Sequence, residues 1–144
     1  MRHLTFAALV ALATVTAASD AAARGRHHQT GHVPAIVSHE AAKAGVPQRI
    51  AHAVIKTESG YNCRARNRSG AAGAGQLMPA TARSLGVRNV FDCRQNIAAS
   101  MRYLRAAINR GGAGCAGVSL YETGVGARPR CSAYGRRVMR SASL

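Results

Sequence analysis

The chain has 144 residues and sets 20 Lys and Arg against 5 Asp and Glu, a formal charge of +15, which fits one domain with a polyanionic partner. Only 4% of its residues are aromatic and none is tryptophan, so there is no basic-aromatic interleaving to stack on bases and nucleic acid is set aside. With so few acids, the search for a catalytic carboxylate is short.

Residues 1–23 read as a secretory signal: Arg2 and His3 open it, an apolar run from Leu4 to Ala18 follows, and Ala21-Ala22-Ala23 forms a small-residue cleavage site. The run is too short to span a bilayer, and no later segment is long and apolar enough, so no stable membrane insertion is expected after cleavage. Removing the signal deletes one base (Arg2) and one acid (Asp20), leaving the charge at +15 with Glu40, Glu58, Asp92 and Glu122 as the remaining acids. An exported, periplasmic chain of this charge is expected to meet envelope polymers first. Residues 24–33 are basic, polar and glycine-containing, and read as a loosely held segment. His27, His28 and His32 lie on or beside this tail, and no metal is assigned to them.

A first helix is predicted from Pro34, suited to a first helical position, to Gly45. It contains His39-Glu40-Ala41-Ala42-Lys43, where Lys43 occupies the place of the second histidine of a zinc protease, and that activity is rejected. Glu40 then reads as a helix-surface carboxylate paired with Lys43. The second helix is predicted from Pro47 to Glu58 or Ser59. In it Ala51, Val54, Ile55 and Glu58 fall at i, i+3, i+4 and i+7, so Glu58 continues the buried stripe. It also sits at the C-terminus, where unpaired carbonyls disfavour negative charge. Burial and dipole both raise a carboxyl pKa, and such a group is suited to donate a proton.

The glycine-rich stretch 60–76 is expected to be a loop whose backbone passes close to something. No Gly-Lys-Ser/Thr follows Gly70, Gly73 and Gly75, so a phosphate loop is rejected in favour of a glycine-lined groove wall. Pro79 to Gly86 reads as a short helix. A long one follows, with Ile97, Met101, Leu104 and Ile108 on one stripe and a stop at Gly111-Gly112. Val118 to Glu122 forms a further short helix, and Ser132 caps a last one through Tyr134, Val138 and Met139. With no strand-length alternation and no repeat, the fold class is mainly α, a compact helical domain. Cys63, Cys93, Cys115 and Cys131 lack zinc spacing and fit two disulfides of an exported protein. Three pairings are open, with Cys63–Cys93 and Cys115–Cys131 favoured, the second because it closes a short loop.

Glu58-Ser59, then after ten residues Gly70-Ala71, Gly73 and Gln76-Leu77-Met78-Pro79-Ala80-Thr81-Ala82, closely resembles the soluble lytic transglycosylases, and aligns with that family's pattern without a gap. Asn96-Ile97, Tyr103-Leu104, Tyr121 with Gly124, and Tyr134 with Val138 resemble later family blocks, so the resemblance covers roughly residues 34–140. It implies a lysozyme-like (goose-type) helical domain over 34–144, acting on peptidoglycan glycan strands as a monomer without cofactor. It also implies that Glu58 is the single acid and base, cleaving the bond between N-acetylmuramic acid and N-acetylglucosamine and closing a 1,6-anhydro ring. A second enzyme carboxylate, which hydrolysing glycosidases normally need, is then unnecessary.

The resemblance further implies that Gln76 and Met78 contact the sugar, with core packing an equal alternative for Met78. Tyr121 is expected near Glu58, its hydroxyl on the acid or the ligand, with a buried structural tyrosine as the competing account, while Tyr134 is expected chiefly to pack the core. Asn67 stands where the family commonly has a serine that orients the acetamido group. Glu122 replaces an asparagine, and either pairs with an arginine or activates water and turns the enzyme partly into a muramidase. By analogy, such small enzymes open the wall locally for a secretion apparatus, pilus or flagellum. The competing readings are a catalytically idle basic wall-binding envelope protein and a lysozyme secreted against competitors.

Overall fold

The computed structural model describes residues 32–143. The signal read at 1–23 and the basic segment read at 24–33, apart from its last two residues, lie outside them. Six helices are present among the described residues: α1 (Val33–Ala44), α2 (Gln48–Ser59), α3 (Pro79–Ser84), α4 (Cys93–Gly111), α5 (Cys115–Thr123) and α6 (Ala133–Ala142). None is long and apolar enough to cross a membrane. The helix expected at 118–122 is longer than its apolar core, starting at Cys115.

The helices pack in a closed circuit, α1 on α2 and α4, α4 on α5, α5 on α6, and α6 back on α2. α4 carries the broadest buried face, with Ile97, Met101, Leu104 and Ala107 fully enclosed, as its apolar periodicity requires. Its N-terminus is fixed by Asp92, whose Oδ1 accepts from the Gln95 N–H at 2.9 Å. α6 begins in the same way, the Ser132 hydroxyl oxygen accepting from the Gly135 N–H at 3.2 Å. Disulfides Cys63–Cys93 and Cys115–Cys131 tie the loop after α2 to α4, and the start of α5 to the approach of α6.

Glu40 is not a surface carboxylate. Val33, Ile36, Val37, Glu40 and Ala41 are the buried face of α1, and Glu40 follows that 3.6-residue stripe inward. Its charge is met by Arg94 at 3.3 Å and Lys43 at 3.5 Å, with His39 at 3.8 Å. A carboxylate taken from water needs such partners.

α2 ends where Gly60 and then Tyr61 adopt left-handed conformations, with φ of 59° and 67°, a turn that glycine accepts readily and tyrosine only under constraint. The constraint is visible. His52 on α2 lies 3.1 Å through Nδ1 from the Tyr61 hydroxyl and 2.9 Å through Nε2 from the Ser38 hydroxyl on α1. Burial holds the His52 ring below its usual pKa, favouring the neutral ring that bridges both.

The loop that follows folds onto α4. Asn96, fully buried, accepts through Oδ1 from the Gly75 N–H at 2.8 Å and donates through Nδ2 to the Ala72 and Val90 carbonyls at 3.1 and 3.0 Å. A Cβ at Gly73 would collide with Asn96 and the Val90 carbonyl, and one at Gly75 with Ser100 and Tyr121. These two glycines therefore face α4 and not the groove, because the close approach is to a helix; the expected glycine-lined wall is instead built by Gln76, Leu77 and Met78. Asn96→Ala is expected to leave two backbone groups, the Gly75 N–H and the Val90 carbonyl, short of a partner and to lower stability by about 3 kcal/mol. Urea unfolding measures it, and a loss below about 1 kcal/mol would show that the loop is held by other contacts.

Candidate active site

Where α2 ends, the loop 67–78 and helices α5 and α6 converge on an open groove of about 470 Å³. Glu58, Asn67, Gln76, Met78, Tyr121, Glu122 and Tyr134 all line it. Residues drawn from four separated stretches of sequence thus share one cavity.

Glu58 lies on the face of α2 that carries Ala51, Val54 and Ile55, all fully enclosed, but at the helix end that opens to the groove. Its carboxyl is therefore only partly covered. Burial is the main influence and pushes its pKa above the ordinary glutamate value, the nearby Glu122 charge adding to the rise. Two groups act the other way: the Tyr134 hydroxyl, which donates to Glu58 Oε1 at 2.6 Å, and the Arg137 guanidinium. The carboxyl is thus held in a fixed orientation and poised to exchange a proton.

The two tyrosines differ from the sequence expectation. Tyr121, not Tyr134, spends its hydroxyl on the backbone, donating to the Gly75 carbonyl at 2.8 Å. That carbonyl is enclosed by the glycine loop and needs a donor. Burial raises the Tyr121 phenol pKa far above the usual range, so it stays a donor, while its ring stacks edge-on against Tyr103 with centroids 5.4 Å apart. Tyr134 is buried as expected of a core residue, but its hydroxyl is the one on the acid. Its own pKa rises chiefly through burial and then through the Glu58 charge.

Gln76 holds a left-handed backbone, φ 47°, and its Nε2 donates to the Gly73 carbonyl at 3.0 Å. Strain of this kind persists only where surrounding bonds impose it, here the two bonds between Ala72 and Leu77. Met78 is 46% exposed, which removes core packing as its explanation. Asn67 uses Oδ1 to accept from the Ala71 N–H at 3.0 Å, leaving its amide nitrogen as the group that can meet a ligand. Among the described residues Glu122 pairs with no arginine: its Oε2 accepts from the Ser132 hydroxyl at 3.2 Å, at the N-terminus of α6 where a negative charge is favoured. The groove also contains Thr57, Thr81, Tyr103 and Arg137, which the sequence reading did not single out as site residues. Arg137 was recoverable, since it falls three residues after Tyr134 and so on the same helix face.

A closed circuit of helices, stapled twice and holding a half-buried glutamate in an open groove, defines a lysozyme-like helical domain. Residues 35–137 match the family described as the Transglycosylase SLT domain, and the chain belongs to that family. It is also similar to a protein of Enterobacteria phage PRD1 named "Transglycosylase", with 44% identity over 71 residues. That match covers 49% of this chain and 27% of the phage protein.

Tyr134→Phe removes the donor that favours the carboxylate, and Glu122→Gln removes a charge that opposes it. The Glu58 pKa is therefore expected to rise in the first variant and fall in the second. Carbon NMR titration of the Glu58 carboxyl reads both shifts, and movement in a common direction would contradict the geometry.

Proposed function

We propose that the protein is a peptidoglycan lytic transglycosylase in which Glu58 is sole acid and base. The observation that carries this reading is a carboxyl of raised pKa, oriented by Tyr134, at the edge of an open groove. Glu58 gives its proton to the glycosidic oxygen as the bond from C1 of N-acetylmuramic acid breaks, and the N-acetylglucosamine unit leaves as an alcohol. The 6-hydroxyl of the muramic acid then attacks C1 and returns its proton to Glu58, closing the 1,6-anhydro ring. No water is consumed. Because the nucleophile belongs to the substrate, proximity supplies much of the acceleration.

The other groove residues take supporting roles. The Tyr134 hydroxyl steadies the Glu58 carboxylate formed between the two proton transfers. Gln76, Met78 and the Asn67 amide nitrogen contact the sugar and its acetamido group, the exposed Met78 offering an adaptable apolar surface. Glu122, engaged by Ser132 at the head of α6, is a structural carboxylate in this scheme and does not activate water. Two disulfides and a wall polymer as substrate support an exported protein working in the periplasm. Local wall opening for a secretion apparatus, pilus or flagellum is the role that the family likeness favours.

Glu58→Gln is expected to lower release of soluble fragments from purified sacculi by at least about 1,000-fold while leaving co-sedimentation with sacculi intact. Clearing that persists in the variant would defeat the assignment and return the basic wall-binding reading. Mass spectrometry of the wild-type products should show anhydro ends, and Glu122→Gln should give the same ends. Reducing muramic acid ends that disappear in Glu122→Gln would instead identify a hydrolase with two carboxylates.

A further inference from the structure

Among the described residues, Arg137 is the one cation lining the groove, which it shares with the carboxylates of Glu58 and Glu122. It nevertheless forms no ion pair with either: the ion pairs among the described residues all converge on Glu40. Glu122 is turned to Ser132 and Glu58 to Tyr134. The guanidinium instead lies over the Tyr134 ring, 5.7 Å from its centroid, a stacked position that limits its freedom without using its N–H donors. A charged, planar group with free donors, partly pre-ordered beside the reacting carboxyl, is suited to hold a carboxylate by paired hydrogen bonds.

We propose that Arg137 is a specificity-determining residue that binds a carboxylate hanging from the glycan strand, an inference that rests on the transglycosylase reading above. Muramic acid supplies that chemistry in two ways, through its own lactyl carboxylate where the strand is bare and through the peptide attached there where it is not. An unsubstituted chitin-type glycan has neither. Arg137 thereby selects strands by their acidic substituents, while Glu58 acts on the sugar backbone. Its position three residues from Tyr134 on α6 sets the anion beside the acid and leaves the sugar-facing side of the groove, with Gln76 and Met78, for the glycan.

The test uses the full chain carrying Glu58→Gln, which holds glycans without cutting them, with and without Arg137→Gln. Affinity is measured for peptide-bearing strands, strands stripped by an amidase, and chito-oligosaccharide. Loss of about tenfold affinity for peptide-bearing strands alone supports the proposal and identifies the peptide as the source. The same loss for stripped strands also supports it and identifies the lactyl group. Equal affinity of the two proteins for all three ligands, or an equal loss on all three, overturns it. In the cutting enzyme, Arg137→Gln should raise KM on the responsive substrate and not on chito-oligosaccharide, and Arg137→Lys should recover part of the loss. If the wild-type chain releases nothing from sacculi, the functional reading fails and this inference falls with it; if release is normal and Arg137→Gln changes neither affinity nor KM, only the inference fails.

Discussion

The structure depends on the side-chain amide of Asn96. It enters a part of the core where no other side chain donates to the Ala72 and Val90 carbonyls, and it also accepts the Gly75 N–H. Without it the Val90 carbonyl and the Gly75 N–H would lack a partner among the described residues, and the Ala72 carbonyl would keep only the Leu77 N–H. The result is an irregular loop lying on a helix with almost no space between them, which is why Gly73 and Gly75 can carry no side chain. Further bonds extend the anchorage: Ser59 at the end of α2 donates to the Ala74 carbonyl at 2.7 Å, and Tyr121 to that of Gly75. Loop, acid-bearing helix and groove floor are thereby held as one piece.

Two carboxylates show how similar positions acquire different chemistry. Glu40 and Glu58 both continue the buried stripe of a helix, so both pay desolvation. Glu40 sits mid-helix and is surrounded by Arg94, Lys43 and His39, which makes it a stabilised anion and a structural link between α1 and α4. Glu58 sits at a helix end beside open space and meets a neutral phenol in place of a salt bridge. A phenol orients a carboxyl while giving its charge less support than an ion pair would. Burial without an ion pair, more than burial alone, separates Glu58 from the structural anion Glu40.

That distinction also explains what the sequence made legible. Helices, their caps and the long buried face of α4 follow from local periodicity and from proline, glycine and serine at their ends, which need no knowledge of neighbours. The inward position of Glu58 followed from the same period. The inward position of Glu40 is equally legible in Val33, Ile36 and Val37, which share its stripe, whereas the nearby Lys43 alone suggests a surface pair. The exchange of roles between Tyr121 and Tyr134 was not available, because it depends on which hydroxyl reaches the enclosed Gly75 carbonyl, a fact of tertiary packing alone. Glycine spacing likewise announced a close approach without saying to what.

The bond between Tyr134 and Glu58 joins residues 76 positions apart, and α6, which supplies the phenol, is reached only through the segment closed by Cys115–Cys131. A ribosome delivers the acid long before its partner. During that interval the chain carries its carboxyl on α2 with no groove wall from α5 or α6 around it, and so as an ordinary, poorly directed acid. The oriented carboxyl arrives only with the last helix, a built-in delay that leaves the groove unformed while the chain is still being made.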